Sequence, residues 1–219
     1  MKKVVAFAPL AFALLAICGC SYIGRGVVGL GVRKTEKRDL QSFKSIDASG
    51  AYEIQVTCQK PAAFEIEGDD NILPLIKTEV RDGVLYVSNE KNYTSDKPVS
   101  LRITLPDLTG FSTHGAGKVR IIAVKNEQLE LSSSGAADIN ASGQSHFVDI
   151  GSNGAGKIDT SNLRAEKVRV SIAGAGAADV YVTEQLDVTV SGAGHVTYGG
   201  DPKVVNKNVS GVGSLKKKE

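Results

Sequence analysis

Two features of the 219-residue chain bring reactive side chains into regular spacing. The stretch GSNGAGKIDT, residues 151–160, sets Gly151, Gly156 and Lys157 in the G-x-x-x-x-G-K order of a phosphate-cradling loop. Ile158 stands where a Ser or Thr hydroxyl would reach magnesium. Lys157 also belongs to a recurring series: Lys118, Asp138, Lys157, Asp179 and His195. Base, acid and histidine in one column could form a catalytic or ligand-binding stripe. They could also form an exposed ladder of alternating charge, each cross-strand pair contributing roughly 0.2–1 kcal/mol. Regular alternation favours the ladder. His114 and His146 fall in other columns, so the three histidines do not converge, and no catalytic residue or metal ligand is expected. The acids do not cluster within one turn and no calcium-binding nonapeptide occurs.

The elements that carry this column repeat. Copies such as STHGAGKVRI, SSSGAADINA and TVSGAGHVTY share a leading glycine at Gly115, Gly135, Gly154, Gly174, Gly192 and Gly211, spaced 20, 19, 20, 18 and 19 residues apart. Such a period predicts a solenoid. Six residues before each glycine stand Thr109, Leu129, Val148, Val168, Leu186 and Val205. Four before stand Phe111, Leu131, Ile150, Val170, Val188 and Lys207. This alternation turns one face of a short strand to the core. Beyond the bend, Val119, Ile139, Ile158, Val180, Val196 and Leu215 open a second strand, provided the Gly174 copy carries two extra residues.

In a parallel β-helix neighbouring strands lie about 4.8 Å apart, so successive bends sit over one another. Side chains larger than methyl would crowd them, and glycine also permits positive φ where the chain reverses. A phosphate loop instead needs one glycine turn feeding a helix N-terminus. Six β-flanked copies describe a structural corner. Ile158 then occupies a core column, and neither a nucleotide nor another cofactor is expected.

The N-terminus reads differently. Lys2 and Lys3 precede the apolar run Val4–Ile17, the layout of a secretory signal too short to cross a bilayer comfortably. The run ends in ICGCS, which resembles the lipobox of bacterial lipoproteins. That resemblance implies cleavage after residue 19 and acylation of Cys20, with palmitate label and a membrane anchor as consequences. Ser21, in place of an inner-membrane-retaining Asp, implies the outer membrane if the organism is Gram-negative. Loss of Lys2 and Lys3 takes the formal net charge from +2 to zero, leaving no electrostatic footprint for nucleic acid. Cys18 leaves with the signal, and Cys58 packs inward in phase with Ile54 and Val56. No disulfide framework or cysteine metal site follows. Gly24, Gly26 and Gly29 spell G-x-G-x-x-G, but outside the βαβ context that a dinucleotide site requires. The expected organisation is a signal over 1–19, a flexible tether over 20–38, one β-helical domain over 39–215 and a charged tail over 216–219.

Residues 43–105 are less regular but β-rich. FKSIDASGAYEIQVTC repeats the strand, small bend, strand logic around Gly50 and Ala51, while AAFEIEG, GVLYVSN and VSLRITLP alternate as strands. DDNILPLIKTEV predicts a short helix opened by Asp69 or Asp70 and limited by Pro74. The order FKSIDASGAYEIQV, FEIEGDDNILPLIKTEVRDGVLYV, LRITLPDL and then repeated SGAG corners resembles the GIN domain, a family named for an auto-transporter adhesin head. The resemblance covers residues 40–215 and implies a β-helical envelope protein, with no catalytic residues to carry over.

The expected fold is an all-β, single-domain parallel β-helix with coils of 19–20 residues and one short helix. The expected function is a non-enzymatic, lipid-anchored envelope protein presenting a β-surface to a protein or glycan partner. One rival is a polysaccharide-acting enzyme, for which Asp138, Asp179, Lys157 and His195 are the candidates. Such a site needs converging carboxylates, and aromatic platforms for sugar are sparse, with no Trp, six Tyr and six Phe. Another is a scaffold that self-assembles through the open ends of the stack.

Overall fold

The apolar–polar alternation of the repeats is realised as long, bent strands stacked in parallel. The structure is a computed structural model and describes residues 26–218. The strands are β1 (Val27–Val28), β2 (Arg33–Lys37), β3 (Ser45–Ser49), β4 (Ala51–Thr57), β5 (Ala63–Asp69), β6 (Ile76–Arg81), β7 (Val84–Asn89), β8 (Tyr93–Thr94) and β9 (Val99–Thr104). There follow β10 (Gly110–Thr113), β11 (Ala116–Ser133), β12 (Ala136–Ser152), β13 (Lys157–Ile172), β14 (Ala177–Gly192), β15 (His195–Gly199), β16 (Val204–Gly211) and β17 (Ser214–Lys217). All but β1 and β8 join one sheet, which coils into the solenoid.

Register is set by the core columns. Val119, Ile139, Ile158, Ala178, Val196 and Leu215 align from coil to coil. Leu129, Val148, Val168 and Leu186 do so on another wall, and all four are buried. A one-residue slip would turn every such column outward, at about 1.5–3 kcal/mol per large side chain exposed.

The first coils are threaded out of order. The bend at Gly50 joins β3 to β4, and this coil lies directly beneath the one built from β10 and β11. On its other side β3 pairs with β7 and β4 with β9. The layer beneath therefore comes later in the chain. Antiparallel strands close this end: β6 on β7, β5 on β9, and β2 on β5. The β6–β7 hairpin turns at Asp82 and Gly83, both at positive φ, as a tight two-residue turn requires.

Three expectations need correction. The stretch expected as a tether contains β1 and β2 within residues 26–37, with β2 paired along β5. Arg33 reaches the buried Asp69 at 3.8 Å, and Ser95 donates to the same carboxylate at 3.0 Å. Cys20, Gly24 and the signal lie outside the described residues. The expected helix is a single 3-10 turn, Leu73–Leu75, with Ile72 at its N-cap and no side-chain cap. Asp69 ends β5, and the residues after Leu75 go into β6, where pairing with β7 satisfies more backbone groups than a second helical turn. The charged tail starts as strand, because Ser214–Lys217 pairs with β15 and Lys217 meets Asp201 at 2.9 Å.

Candidate functional site

The corner comes first, because it fixes which outward side chains line up. GSNGAGK is the end of β12, a bend and the first residue of β13, with no helix following. A Cβ on Gly115, Gly135 or Gly154 would collide with the carbonyl of the equivalent glycine one coil below, Gly50, Gly115 or Gly135. At Gly174 and Gly192 the same approach is 2.5 Å. Of the six corner glycines only Gly192 and Gly211 have positive φ. Close backbone approach, rather than handedness, demands glycine at the other four.

With the corners in register, one wall of the solenoid presents two polar rows. Ser100, Glu53, Lys118, Asp138, Lys157, Ala177, His195 and Ser214 lie side by side on successive strands. Two residues further along the same strands run Arg102, Gln55, Arg120, Asn140, Asp159, Asp179 and Thr197. Asp179 therefore belongs to the second row, and Ala177 takes the place expected for it. The Gly174 bend carries no insertion. The short coil loses its residues at the next bend, where Thr160 and Arg164 of β13 face Val180 and Tyr181 of β14. Ala178, not Val180, continues the Ile158 column.

The charge pattern survives in altered form. Lys157 Nζ reaches diagonally to Asp179 at 2.6 Å and along its own strand to Asp159 at 3.6 Å. The hydrogen bond that Lys157 donates to Asp179 chiefly raises its pKa above the ordinary lysine value. Burial would raise Asp159, but the Ser161 hydroxyl and amide, with Lys157, outweigh it and hold the carboxyl below its ordinary value. Lys118 and Asp138 are neighbours in the row but bridge to neither flank within 4.0 Å among the described residues. They line a shallow groove of about 480 Å³ with Glu53, Gln55, Arg102, Arg120 and Asn140. Its apolar floor residues Ile54, Leu101 and Val119 are buried.

The histidines stay apart. His195 shares a hydrogen bond with Ser214 at 2.9 Å, and His146 meets Glu166 at 2.8 Å. Sequence reasoning missed a network at His114, whose Nδ1 lies 2.7 Å from Ser134 Oγ and whose Nε2 lies 3.2 Å from Asp47 Oδ2. The signal was available: His114 and Ser134 both immediately precede a corner glycine, so they stack. These are the residue types of a nucleophilic triad, but His114 and Ser134 stand exposed on a ridge where water competes for each bond. Among the described residues no group of three His, Cys, Asp or Glu side chains could hold a metal ion.

Burial, with Asp107 adding to it, pushes the Cys58 thiol up to about 11, so it is a core side chain and not a nucleophile.

Comparison with known proteins matches residues 42–202 to the sequence profile described as "Putative auto-transporter adhesin, head GIN domain". No curated protein matches the chain. Among solved structures, a "putative adhesin" from Bacteroides fragilis NCTC 9343 is 27% identical with a TM-score of 0.74, covering 88% of this chain and 100% of that one. A "putative adhesin" from Parabacteroides merdae ATCC 43184 is 20% identical with a TM-score of 0.59, over 88% and 99% of the two chains. A "putative lipid binding protein" from Parabacteroides distasonis ATCC 8503 is 20% identical with a TM-score of 0.58, over 89% and 100%. The last two likenesses show the fold alone.

Proposed function

Because the chain belongs to the adhesin-head GIN domain family, we propose that it is a non-enzymatic cell-envelope protein that presents one wall of its β-solenoid to a partner. The observation that carries this reading is the continuous polar wall, in which two rows of side chains cross at least seven strands in register. Side chains on such a wall are held at the strand spacing by the backbone ladder, so a partner meets a pre-ordered surface. Acylation of Cys20 would tether the solenoid at its antiparallel end and leave the wall free. A lipid-held head with a rigid side wall suits capture rather than turnover.

The test is saturable binding of the purified protein to envelope or host-surface fractions, with soluble protein competing. Reproducible turnover of a cell-wall polysaccharide would overturn the non-enzymatic reading.

A further inference from the structure

The groove crossing β9, β4, β11 and β12 constrains the chemistry of what it can hold. Arg120 stands in it between Gln55 and Asn140, its cross-strand neighbours. Among the described residues the Arg120 guanidinium has no hydrogen-bond or ion-pair partner, whereas Arg102 in the same row is engaged by Glu67 at 3.1 Å. In the adjacent row Glu53, Lys118 and Asp138 lie side by side. We propose that this groove binds a carboxylate-bearing saccharide, the Arg120 fork taking the sugar carboxylate while Glu53 and Asp138 accept hydrogen bonds from its hydroxyls. The proposal deepens the partner-binding reading above and rests on it.

Three arguments select this class. A planar guanidinium without an internal partner matches a carboxylate in bidentate fashion. Glu53 and Asp138 repel a plain polyanion but suit a ligand that brings hydroxyl donors beside its charge. A peptide would need a free sheet edge or apolar pockets. Both β4 and β11 are paired on each side, and the apolar residues beneath the groove are buried, so neither route is open. The strand spacing of about 4.8 Å is also close to the rise of one pyranose unit, so a chain lying across the strands meets one polar row member per sugar.

Calorimetric titration of the full chain in detergent tests the proposal, with oligogalacturonate and sialyllactose as acidic saccharides, a neutral oligosaccharide and poly-glutamate as comparators. Binding of either acidic saccharide, weakened about tenfold or more by Arg120→Ala, supports it. Which of the two binds separates an internal uronate from a terminal sialate. Arg120→Lys keeps the charge and loses the fork, so it should recover only part of the affinity. Arg169→Ala, which removes a cation paired with Asp149 on another wall, should change nothing. Equal binding of poly-glutamate, no binding of either acidic saccharide, or affinity indifferent to Arg120 would overturn it. Surface binding that persists in Arg120→Ala would sink the groove while leaving the partner-binding reading intact.

Discussion

Ala155 donates its backbone amide to the carbonyl of Gly135 at 3.0 Å, across the bend that joins two strands of the coil. The rung recurs from Ala136 to Gly115 at 2.9 Å, from Ala175 to Gly154 at 3.1 Å and from Ala193 to Gly174 at 3.0 Å. The parallel ladder thus runs through the corners instead of stopping at them. Each glycine carbonyl must face the next coil's backbone with nothing between, which is why the neighbouring position tolerates a methyl and the glycine does not.

Gly154→Ala and Gly151→Ala should therefore behave oppositely, although both lie in GSNGAGK. A Cβ at Gly154 meets the Gly135 carbonyl, and the replacement should cost on the order of 2 kcal/mol or more. At Gly151 the nearest atom would be Ser132 Oγ at 3.7 Å, so alanine should be neutral or stabilise by about 0.4–1 kcal/mol through the unfolded state. Urea midpoints compare the two. Equal midpoints would contradict the stacked-backbone account.

Arg33→Ala should cost about 1–3 kcal/mol, because it removes the cation facing the buried Asp69 and, among the described residues, leaves that carboxylate with Ser95 and the Gly31 amide. A free tether would show no change. Thermal melts at matched salt distinguish the two.

Cys58 should resist thiol reagents at pH 8 in the native protein and label fully in urea, followed at its own peptide by mass spectrometry. Its folded pKa of about 11 lies above the ordinary thiol value of about 8.5. The neutral thiol therefore contributes stability below the ordinary value, and that contribution is lost as pH rises toward 11. Rapid native labelling at pH 8 would refute the buried placement.

Lys157→Ala should cost no more than about 1 kcal/mol, since the ion pair is half exposed and screened by water and salt. Asp159 is lowered, so its share of stability is present above the ordinary carboxylate value and lost as acid titrates it. Lys157 is raised, so its share is present below the ordinary lysine value and lost as pH climbs through the folded one. ATP should bind neither protein measurably. Magnesium-dependent ATP binding removed by this change would revive the phosphate-loop reading.

Cys20→Ser should abolish palmitate labelling and detergent partitioning of the wild-type chain. A mature protein that begins elsewhere and carries no lipid would count against the anchor.

How much of this was legible depended on distance along the chain. The corner glycines could be read because one steric demand recurs every 18–20 residues. The place of Asp179 could not, because a coil shortened by two residues can lose them at either bend, and Ala178 and Val180 both suit a core column. RKTEK looked like a linker because an edge strand paired only on one side keeps polar residues on both faces. Arg120 carries no local signal: its neighbours Gln55 and Asn140 come from other coils, and only the register brings them together.

The out-of-order threading of β4 has a kinetic cost. Its parallel neighbours, β9 and β11, both follow it, and its register with β11 joins Ala51 to Ala116. A chain emerging N-terminus first holds β4 with two vacant edges until those segments arrive, whereas later coils close on neighbours about twenty residues back. Assembly should then begin among the glycine coils and travel backward toward the N-terminus. The N-terminal strands would then be the last to gain protection from amide exchange.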